Sequence, residues 1–541
     1  MYDVESETMP DNLADLLSRR RYASTLREIG ADAARLGIEV YAVGGVVRDV
    51  FLNRSTTDFD FVTVGPGTGI RLAEVVGIRF GRRLAHVYKQ FGTAAVRTPD
   101  GRVLEFVAAR KESYRRDSRK PIVEDGTLED DQRRRDFTMN TMAVALNPER
   151  FGELVDPFGG REDVSERRIM TPLAPQATFA DDPLRMIRAA RFAAELRFSI
   201  DREVLAAMGA EAHRVSILSQ ERITDELQRI MASNKPSVGF RILERTGLLR
   251  HIFPQLVRLK GVETVHGQMH KDNFLHTLKV LDNLVVATHD RPAKDTLWLR
   301  WAALLHDIAK PLCKRFVKGT GWTFHGHEDR GARMIPAVFR RLKLPLDERM
   351  EYVRTLVALH HRPVALVDRE VTDSAVRRLL FEAGDAIDDL MALVRADITS
   401  KNPKRVRRYL RAFDLVEQKF AEVESKDRLR NFQPPVDGNE IMDVIGISEG
   451  VAVGIIKSTI REAILDGDIP NEHDAAFDLM MRVKDEALRR GALFDEVLRS
   501  LDVAERRAAG AIKEEVFTGD IPADRGAALE HLMAVKRRAL S

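Results

Sequence analysis

Asp58-Phe59-Asp60 is the first point in the chain where residue type and spacing together specify chemistry. Residues i and i+2 of a strand face the same way, roughly 6 to 7 Å apart, so these two carboxylates repel unless a cation sits between them. Hard oxygen ligands with no thiolate select Mg2+ or Mn2+ over softer metals. The same pattern also suits a solvent-exposed strand edge with the charges out and Phe59 and Phe61 in. Glu105 stands mid-strand in VLEFVA among apolar neighbours, where a buried carboxylate is costly without a partner or a metal. If its strand lies adjacent, three carboxylates converge. Three acidic ligands holding two divalent ions about 3.5 to 4 Å apart activate an attacking hydroxyl and stabilise a leaving phosphate oxygen in an in-line displacement. Upstream, Gly44-Gly45 separates a strand from a helix whose first turn carries Arg48 and Asp49. Such a turn can offer backbone N–H groups and a helix N-terminus to phosphate, or be no more than a tight turn.

A second group is rich in nitrogen. His306-Asp307 lies on the apolar helical run WLRWAALLHDIAKP, with His276 in NFLHTLKVL, His325 and His327 in FHGHE, His360 and His361 in ALHHRP, and Asp397 in RADITSKN. A lone His on an apolar helix face is usually a satisfied core residue. Here His306 and Asp307 can converge on a cation only if other elements bring ligands, and the downstream helices supply both His and Asp. Lys310, one turn on, reads as a phosphate contact or as a surface Lys. Lys404, Arg405, Arg407, Arg408 and Arg411 crowd a short stretch in which positions 404, 407, 408 and 411 share one helical face. That stripe suits a phosphate backbone or an exposed helix surface. Arg110 to Arg135 holds nine Lys/Arg and seven Asp/Glu with few apolar residues, and is expected to be a long mobile loop near a site handling anions.

Periodicity supplies the elements that hold these groups. Residues 11 to 36 place apolar side chains at helical spacing, and Ile38 to Val43 follows Gly37 as a strand. Val46 to Leu52 is a short helix, Asp58 to Val64 alternates strictly, and Arg102 to Ala108 is a third strand. This α/β or α+β unit ends near residue 168. From Asp181 onward the pattern turns helical, clearest in ADDPLRMIRAARFAAEL and SQERITDELQRIM, and strands all but vanish. Pro434-Pro435 and Asp437-Gly438 mark a connector, and Ile441 to Leu501 is helical again with a break at Pro470-Asn471.

The 541 residues, at roughly 100 to 200 per domain, imply three or four domains in series. An apolar fraction of 44% with a net charge of +3 excludes wholesale disorder. No apolar run approaches the roughly 18 residues that cross a bilayer. The start MYDVESETMPDN lacks the basic-then-apolar order of a secretion signal, so a cytoplasmic location with no membrane partner is expected. The lone Cys313 permits neither an intramolecular disulfide nor a cysteine-based zinc site, which leaves His and carboxylates as metal ligands.

The stretch GGVVRDVFLNRSTTDFDF resembles the signature of the nucleotidyltransferase branch that contains class II CCA-adding tRNA nucleotidyltransferases and bacterial poly(A) polymerases. Later blocks follow in that family's order: RRDFTMNTMA (Arg134 to Ala143), DPFGGREDV (Asp156 to Val164), DDPLRMIRAARFAA (Asp181 to Ala194) and ERITDEL (Glu221 to Leu227). The resemblance implies a multi-domain chain, with an N-terminal α/β nucleotidyltransferase (polymerase beta-like) head followed by a predominantly α-helical neck, HD body and tail. On it, residues 1–25 are an extension, 26–168 the head, 169–260 the neck, 261–425 the HD-type domain and 426–541 the tail. It implies that Asp58 and Asp60 bind catalytic Mg2+ with Glu105 at the third acidic position. Gly44, Gly45 and Arg48 would hold the triphosphate, and Arg135, Asp136 and Asn140 would contact ribose and phosphates. Asp182 and Arg185 match the family's base-reading pair, although this chain has Asp181-Asp182 where the pattern usually has Glu-Asp. A carboxylate accepts from an exocyclic amine and a guanidinium donates to a ring nitrogen or carbonyl, so C and A, but neither G nor U, present a complementary edge. Arg188 and Arg191 share a helical face with Arg185, to reach phosphate or RNA or to lie on a solvated face.

The histidine series resembles the HD phosphohydrolase superfamily. That implies His276, His306, Asp307 and Asp397 as core ligands of a second divalent transition metal, with His327 and His360 as additional ligands. Hydrolysis of terminal 2′,3′-cyclic phosphates or 2′-phosphates follows if the site is filled. The expected activity is template-independent addition of CMP and AMP, from CTP and ATP, to the 3′ end of tRNA. Poly(A) addition is the alternative, since GRRLAHV (Gly81 to Val87) loosely resembles a poly(A) polymerase motif without its aromatic residue. An RNA-binding HD phosphohydrolase with a vestigial transferase site is the third reading.

Overall fold

The computed structural model describes residues 11–56, 58–81, 86–88, 92–113, 122–367, 372–400, 402–427, 433–502 and 505–540. The GRRLAHV stretch therefore falls largely outside the described residues. The chain packs as two compact units, Met1–His327 with Met334–Met350, and Glu328–Arg333 with Glu351–Ser541.

The first unit opens on a mixed seven-stranded sheet. Its strands are β1 (Val40–Val43), β2 (Asp58–Thr63), β3 (His86–Tyr88), β4 (Thr93–Arg97), β5 (Val103–Ala108), β8 (Ala143–Ala145) and β9 (Leu154–Val155), in the order β3-β4-β5-β2-β1-β8-β9. β2 and β5 run parallel, while β1 lies antiparallel to both β2 and β8. Alternation along the strands sets the layers. Phe59 and Phe61 of β2 and Leu104 and Phe106 of β5 are buried, with the Phe61 and Phe106 rings stacked at 4.9 Å, so the residues between them face the other side. The expected loop over residues 110 to 135 is instead largely ordered. β6 (Arg110–Ser113) pairs antiparallel with β7 (Ile122–Asp125), and helix Leu128–Arg133 follows with a Thr127/Asp130 capping box. Residues 114–121 lie outside the described part.

Helices then take over, with Pro175–Asp181, Leu184–Leu196, Gln220–Ala232 and Pro236–Arg245 leading. Strands are few and short: β10 (Arg168–Ile169) pairs with β11 (Ser199–Ile200), and two small hairpins form from β12 (Thr264–Val265) with β13 (Gln268–Met269) and from β14 (Arg315–Val317) with β15 (Gly321–Thr323).

The described part of the second unit is helical. Its longest early helix, Pro403–Asp427, buries Phe413, Val416, Phe420 and Val423 at helical spacing. Among the described residues of the whole chain, no helix is long and apolar enough to cross a membrane.

Candidate functional site

In the head the site begins with register. Asp60 and Glu105 are direct partners across the parallel pair β2–β5, so their side chains share the face opposite the phenylalanines. Glu105 is exposed rather than buried, because only the other face of β5 is covered by core. Asp58 opens β2 opposite Val103, two residues from Asp60; its side chain lies outside what is described. On the other flank Val43 of β1 is the partner of Asp60, which brings Gly44 to the carboxylate. Gly44 has φ +75°, and a Cβ added there would lie 3.2 Å from Arg135 Nη1 and 3.6 Å from Asp60 Oδ2. Only glycine fits that conformation without cost. Its own N–H donates to the Met142 carbonyl at 3.3 Å, so Gly44 supplies space here rather than a phosphate donor. Gly45 is the first residue of helix Gly45–Phe51.

The charged residues around this face form one connected network. Arg48 is buried and donates to Asp49 Oδ1 and, at 2.9 Å, to Asn140 Oδ1. Asn140 Nδ2 donates to Asp136 Oδ1 at 3.0 Å, and Arg188 Nη2 meets Asp136 Oδ2 at 2.6 Å. Arg191 Nε meets Glu226 Oε2 at 2.6 Å, with Glu195 on its other side. The Phe192 ring lies under the guanidinium groups of Arg48, Arg188 and Arg191. Burial pushes the Asp136 carboxyl up, but Arg188 and the Asn140 amide outweigh it and hold the group well below the carboxylate range. Asp131, fully buried, is likewise held low by Arg135 and Arg134 against the burial that opposes it.

Two expectations change accordingly. Arg191 is 6% exposed, neither on a solvated face nor open to RNA, because Glu226 from helix Gln220–Ala232 makes that face an interior one. Arg188 is half-buried, its side chain 31% exposed, and it pairs with Asp136. The DPFGGREDV block is a brace: both Asp156 carboxylate oxygens accept N–H groups at the start of helix Gly160–Ser165, and Asp163 accepts from Thr138 Oγ1 and Arg168.

The pair Asp182 and Arg185 is held by other groups. Asp182 Oδ2 meets Arg222 Nη2 at 2.9 Å, while Arg185 Nη2 donates to the Arg134 carbonyl at 2.5 Å. Arg222 and Asp131 were not singled out from sequence. Arg222 lies inside ERITDEL, and Asp131 stands three and four residues before Arg134 and Arg135, the spacing that pairs charges on a helix.

The histidine cluster is enclosed. His276 comes from helix Asn273–Ala287, His306-Asp307 end helix Ala293–Leu305, and His327 opens helix His327–Arg341. His306 and Asp307 have 0% exposure and His327 6%. Asp307 Oδ2 lies 3.5 Å from His276 Nε2 and 3.3 Å from His306 Nε2, and Oδ1 lies 3.3 Å from His327 Nε2. His306 Nδ1 is 2.8 Å from the Ala303 carbonyl and His327 Nδ1 2.9 Å from the Phe324 carbonyl. With Nδ1–H donating there, each ring turns a bare Nε2 toward Asp307, the orientation metal-ligating histidines take. Ligands about 2.0 to 2.1 Å from one ion at a near-tetrahedral angle stand about 3.3 Å apart, so the donor set fits a divalent transition metal. Lys310 Nζ lies 2.7 Å from Asp307 Oδ2, which makes it part of the cluster and not a plain surface lysine. Burial pushes Asp307 up, yet His306, when a proton rather than a metal sits on its Nε2, and Lys310 outweigh it and hold the carboxyl well below its usual range. His325 is exposed while its neighbour His327 is drawn in. His360 and Asp397 belong to the second unit: His360 is buried with Nδ1 2.7 Å from the Val357 carbonyl, His361 is exposed, and Asp397 ends helix Ile387–Asp397.

On helix Pro403–Asp427 the residues Lys404, Arg405, Arg407, Arg408 and Arg411 are all exposed, opposite the buried face. Among the described residues no carboxylate pairs with any of the five. Arg405 and Arg408 flank the Tyr409 ring at 5.8 and 5.4 Å.

Comparison with known proteins places this geometry. Residues 40–170 match the family described as "Poly A polymerase head domain", 197–259 match "Probable RNA and SrmB-binding site of polymerase A", and 273–386 match "HD domain". An A-adding tRNA nucleotidyltransferase of Deinococcus radiodurans is 31% identical over 80% of this chain and 93% of its own length. A CC-adding tRNA nucleotidyltransferase of Thermus thermophilus is 30% identical over 84% and 96%. The solved CCA-adding enzyme of Thermotoga maritima complexed with tRNA superposes with a TM-score of 0.56 at 21% identity, covering 87% of this chain and 98% of that one; it carries the fold. With relatives at that identity aligned along nearly their whole length, the chain belongs to the family of tRNA nucleotidyltransferases that share a poly(A) polymerase head.

Proposed function

We propose that this chain adds CMP and AMP from CTP and ATP to the 3′ end of tRNA without a template and releases pyrophosphate. The observation that carries the reading is the in-register pair Asp60 and Glu105 on adjacent parallel strands, with Gly44 against Asp60. Asp58, Asp60 and Glu105 would hold Mg2+, which supplies the positive charge that lowers the pKa of the RNA 3′-hydroxyl and stabilises the departing pyrophosphate. Gly44 leaves room for the triphosphate with Arg135 beside it, and Gly45 and Arg48 line its approach. Asp136 and Asn140 hold Arg48 and Arg188 in place through buried hydrogen bonds. Asp182 would accept from the exocyclic amine of C or A and Arg185 would donate to the ring, with Arg222 steadying Asp182 until the base arrives. Lys404, Arg407, Arg408 and Arg411 would follow the tRNA backbone, and a cytoplasmic location goes with that substrate. The matched segments 40–170, 197–259 and 273–386 support a head, neck and HD-type domain near the limits 26–168, 169–260 and 261–425, and the tail at 426–541 rests on the connector signals Pro434-Pro435 and Asp437-Gly438.

Relatives with A-adding and CC-adding names make the extent of addition the first experiment. Purified protein is given tRNA that stops before CCA, with CTP alone, ATP alone, or both. Two C residues from CTP and one further A with both nucleotides is the expected result. A long A tail would point to poly(A) addition, and CC or A alone to a shared task. No incorporation at all would leave only the HD-type centre active and sink the proposal.

A second reading concerns that centre. The convergence of His276, His306 and His327 on Asp307 supports a metal-assisted phosphohydrolase, tested by release of phosphate from 2′-phosphorylated ends, by opening of 2′,3′-cyclic ends to the monoester, and by loss of both on chelation.

A further inference from the structure

Between Asp307 and His327 the chain leaves the histidine cluster through helix Lys310–Cys313, turns through the β14–β15 hairpin, and returns through Phe324. Both ends of this excursion are therefore pinned at the cluster. Along it, and along β13 packed beside β15, aromatic rings and cations alternate. Lys310 Nζ, already on Asp307, is 5.7 Å from the Phe324 ring centroid. His270 sets its ring edge-on to Trp322 at 5.2 Å and to Phe324 at 6.1 Å. Lys314 Nζ lies 4.8 Å over Trp322, and Phe316 meets the same indole at 5.4 Å. The polar groups are locked. His270 Nε2 accepts from the Glu263 N–H and from Lys314, each at 3.1 Å, and Lys314 also meets Glu263 Oε1 at 2.6 Å. Trp322 and Phe324 are half-buried and Met269 is 69% exposed. The rings are thus not fully enclosed by the hairpin, and Lys310 joins them to the histidine cluster.

We propose that Trp322 and Phe324, with Lys314 and His270, form a nucleobase-binding subsite beside the histidine cluster, and that its ligand is a nucleoside phosphate. The proposal rests on the phosphohydrolase reading of that cluster for its purpose, and on these side chains alone for binding. Aromatic faces stack any base, and lysines at their rim attract the phosphate the base carries. The subsite would select nucleotide esters over other phosphate esters and present their phosphate to Lys310 and the histidines. The same chemistry is offered by a free mononucleotide and by the phosphorylated end of an RNA.

Isothermal titration calorimetry of the full chain tests this, with adenosine 2′-monophosphate, ribose 5-phosphate, and a short RNA ending in a 2′-phosphate as probes. The nucleotide should bind more tightly than the sugar phosphate and quench the intrinsic fluorescence of the wild type; tighter binding of the RNA or of the mononucleotide identifies the source. Trp322→Leu should weaken the nucleotide by roughly ten-fold or more, the scale of one stacked base. Ribose 5-phosphate binding and nucleotide addition to tRNA should not change, and the latter shows that the variant folds. Trp322→Phe keeps an aromatic face and should retain most of the affinity. Equal nucleotide affinity in the wild type and Trp322→Leu would overturn the subsite. Phosphate release measured alongside separates the two ideas. Equal release from both esters in both proteins sinks the subsite and keeps the hydrolase, and base-dependent binding without release does the reverse.

Discussion

The first unit holds two polar centres that manage charge in opposite ways. Asp60 and Glu105 project from neighbouring strands onto an uncovered face, with Glu105 exposed. Asp307 has 0% exposure and is ringed by His276, His306, His327 and Lys310. A carboxylate on an open face, as exposed Glu105 is, keeps part of its hydration and so costs folding little. An enclosed carboxylate must carry its counter-charge within the fold or bind it there. The arginine network beneath the head site follows the enclosed pattern, with Asp136 matched by Arg188 and Asp131 by Arg134 and Arg135.

Substitutions can break that contrast. The largest effect on stability is expected from Asp136→Ala, which strips half-buried Arg188 and the Asn140 amide of their shared acceptor and should cost about 1.5 to 3 kcal/mol in denaturant unfolding. Glu105→Gln, on the open face, should stay within about 0.5 kcal/mol while addition collapses. Asp307→Ala should lower retention of a divalent transition metal by at least about 100-fold, read by equilibrium dialysis, and leave CMP addition unchanged. Gly44→Ala forces a left-handed backbone on alanine, a cost of roughly 1 to 2 kcal/mol, and should slow addition through the Cβ facing Arg135. Smallest is the basic stripe. Arg407→Ala and Arg411→Ala should each lower the slope of log K for tRNA against log salt by about 0.7 to 0.9, with addition at saturating tRNA unaltered.

Acid sharpens the same comparison. Asp136 and Asp131 are held below their unfolded values, so their stabilisation is present above about pH 4 and fades as pH falls further toward the folded pKa. Thermal unfolding scanned from pH 6 downward should show the loss, and Asp136→Asn should flatten it.

Local periodicity made the head site legible. The strand period put Asp58 and Asp60 on one face, and the Gly pair fell where a strand meets a helix. Whether Glu105 was buried depended on which face of β5 the core covers, and no single strand states that. Arg188 and Arg191 looked like outward charges on helix Leu184–Leu196 because their partner Glu226 stands on a different helix. Residues 110–113 and 122–125 read as loop because their charges hid a two-stranded ribbon. Among the histidines, His325 and His327 differ by two positions, and the choice falls at Gly326, whose left-handed φ of +73° starts the helix that turns His327 inward. Arg222 acquired its partner Asp182 only through tertiary packing, whereas Lys310 stands three residues after Asp307, a local spacing.

Asp60 gives the most direct test of the proposed addition chemistry. Single-turnover CMP addition by Asp60→Ala, with tRNA affinity measured on the same protein, is expected to fall at least about a thousand-fold, more than 4 kcal/mol in the barrier, with Kd for tRNA unchanged. Addition at a rate near the wild type, or equal loss of binding and chemistry in a folded protein, would contradict it.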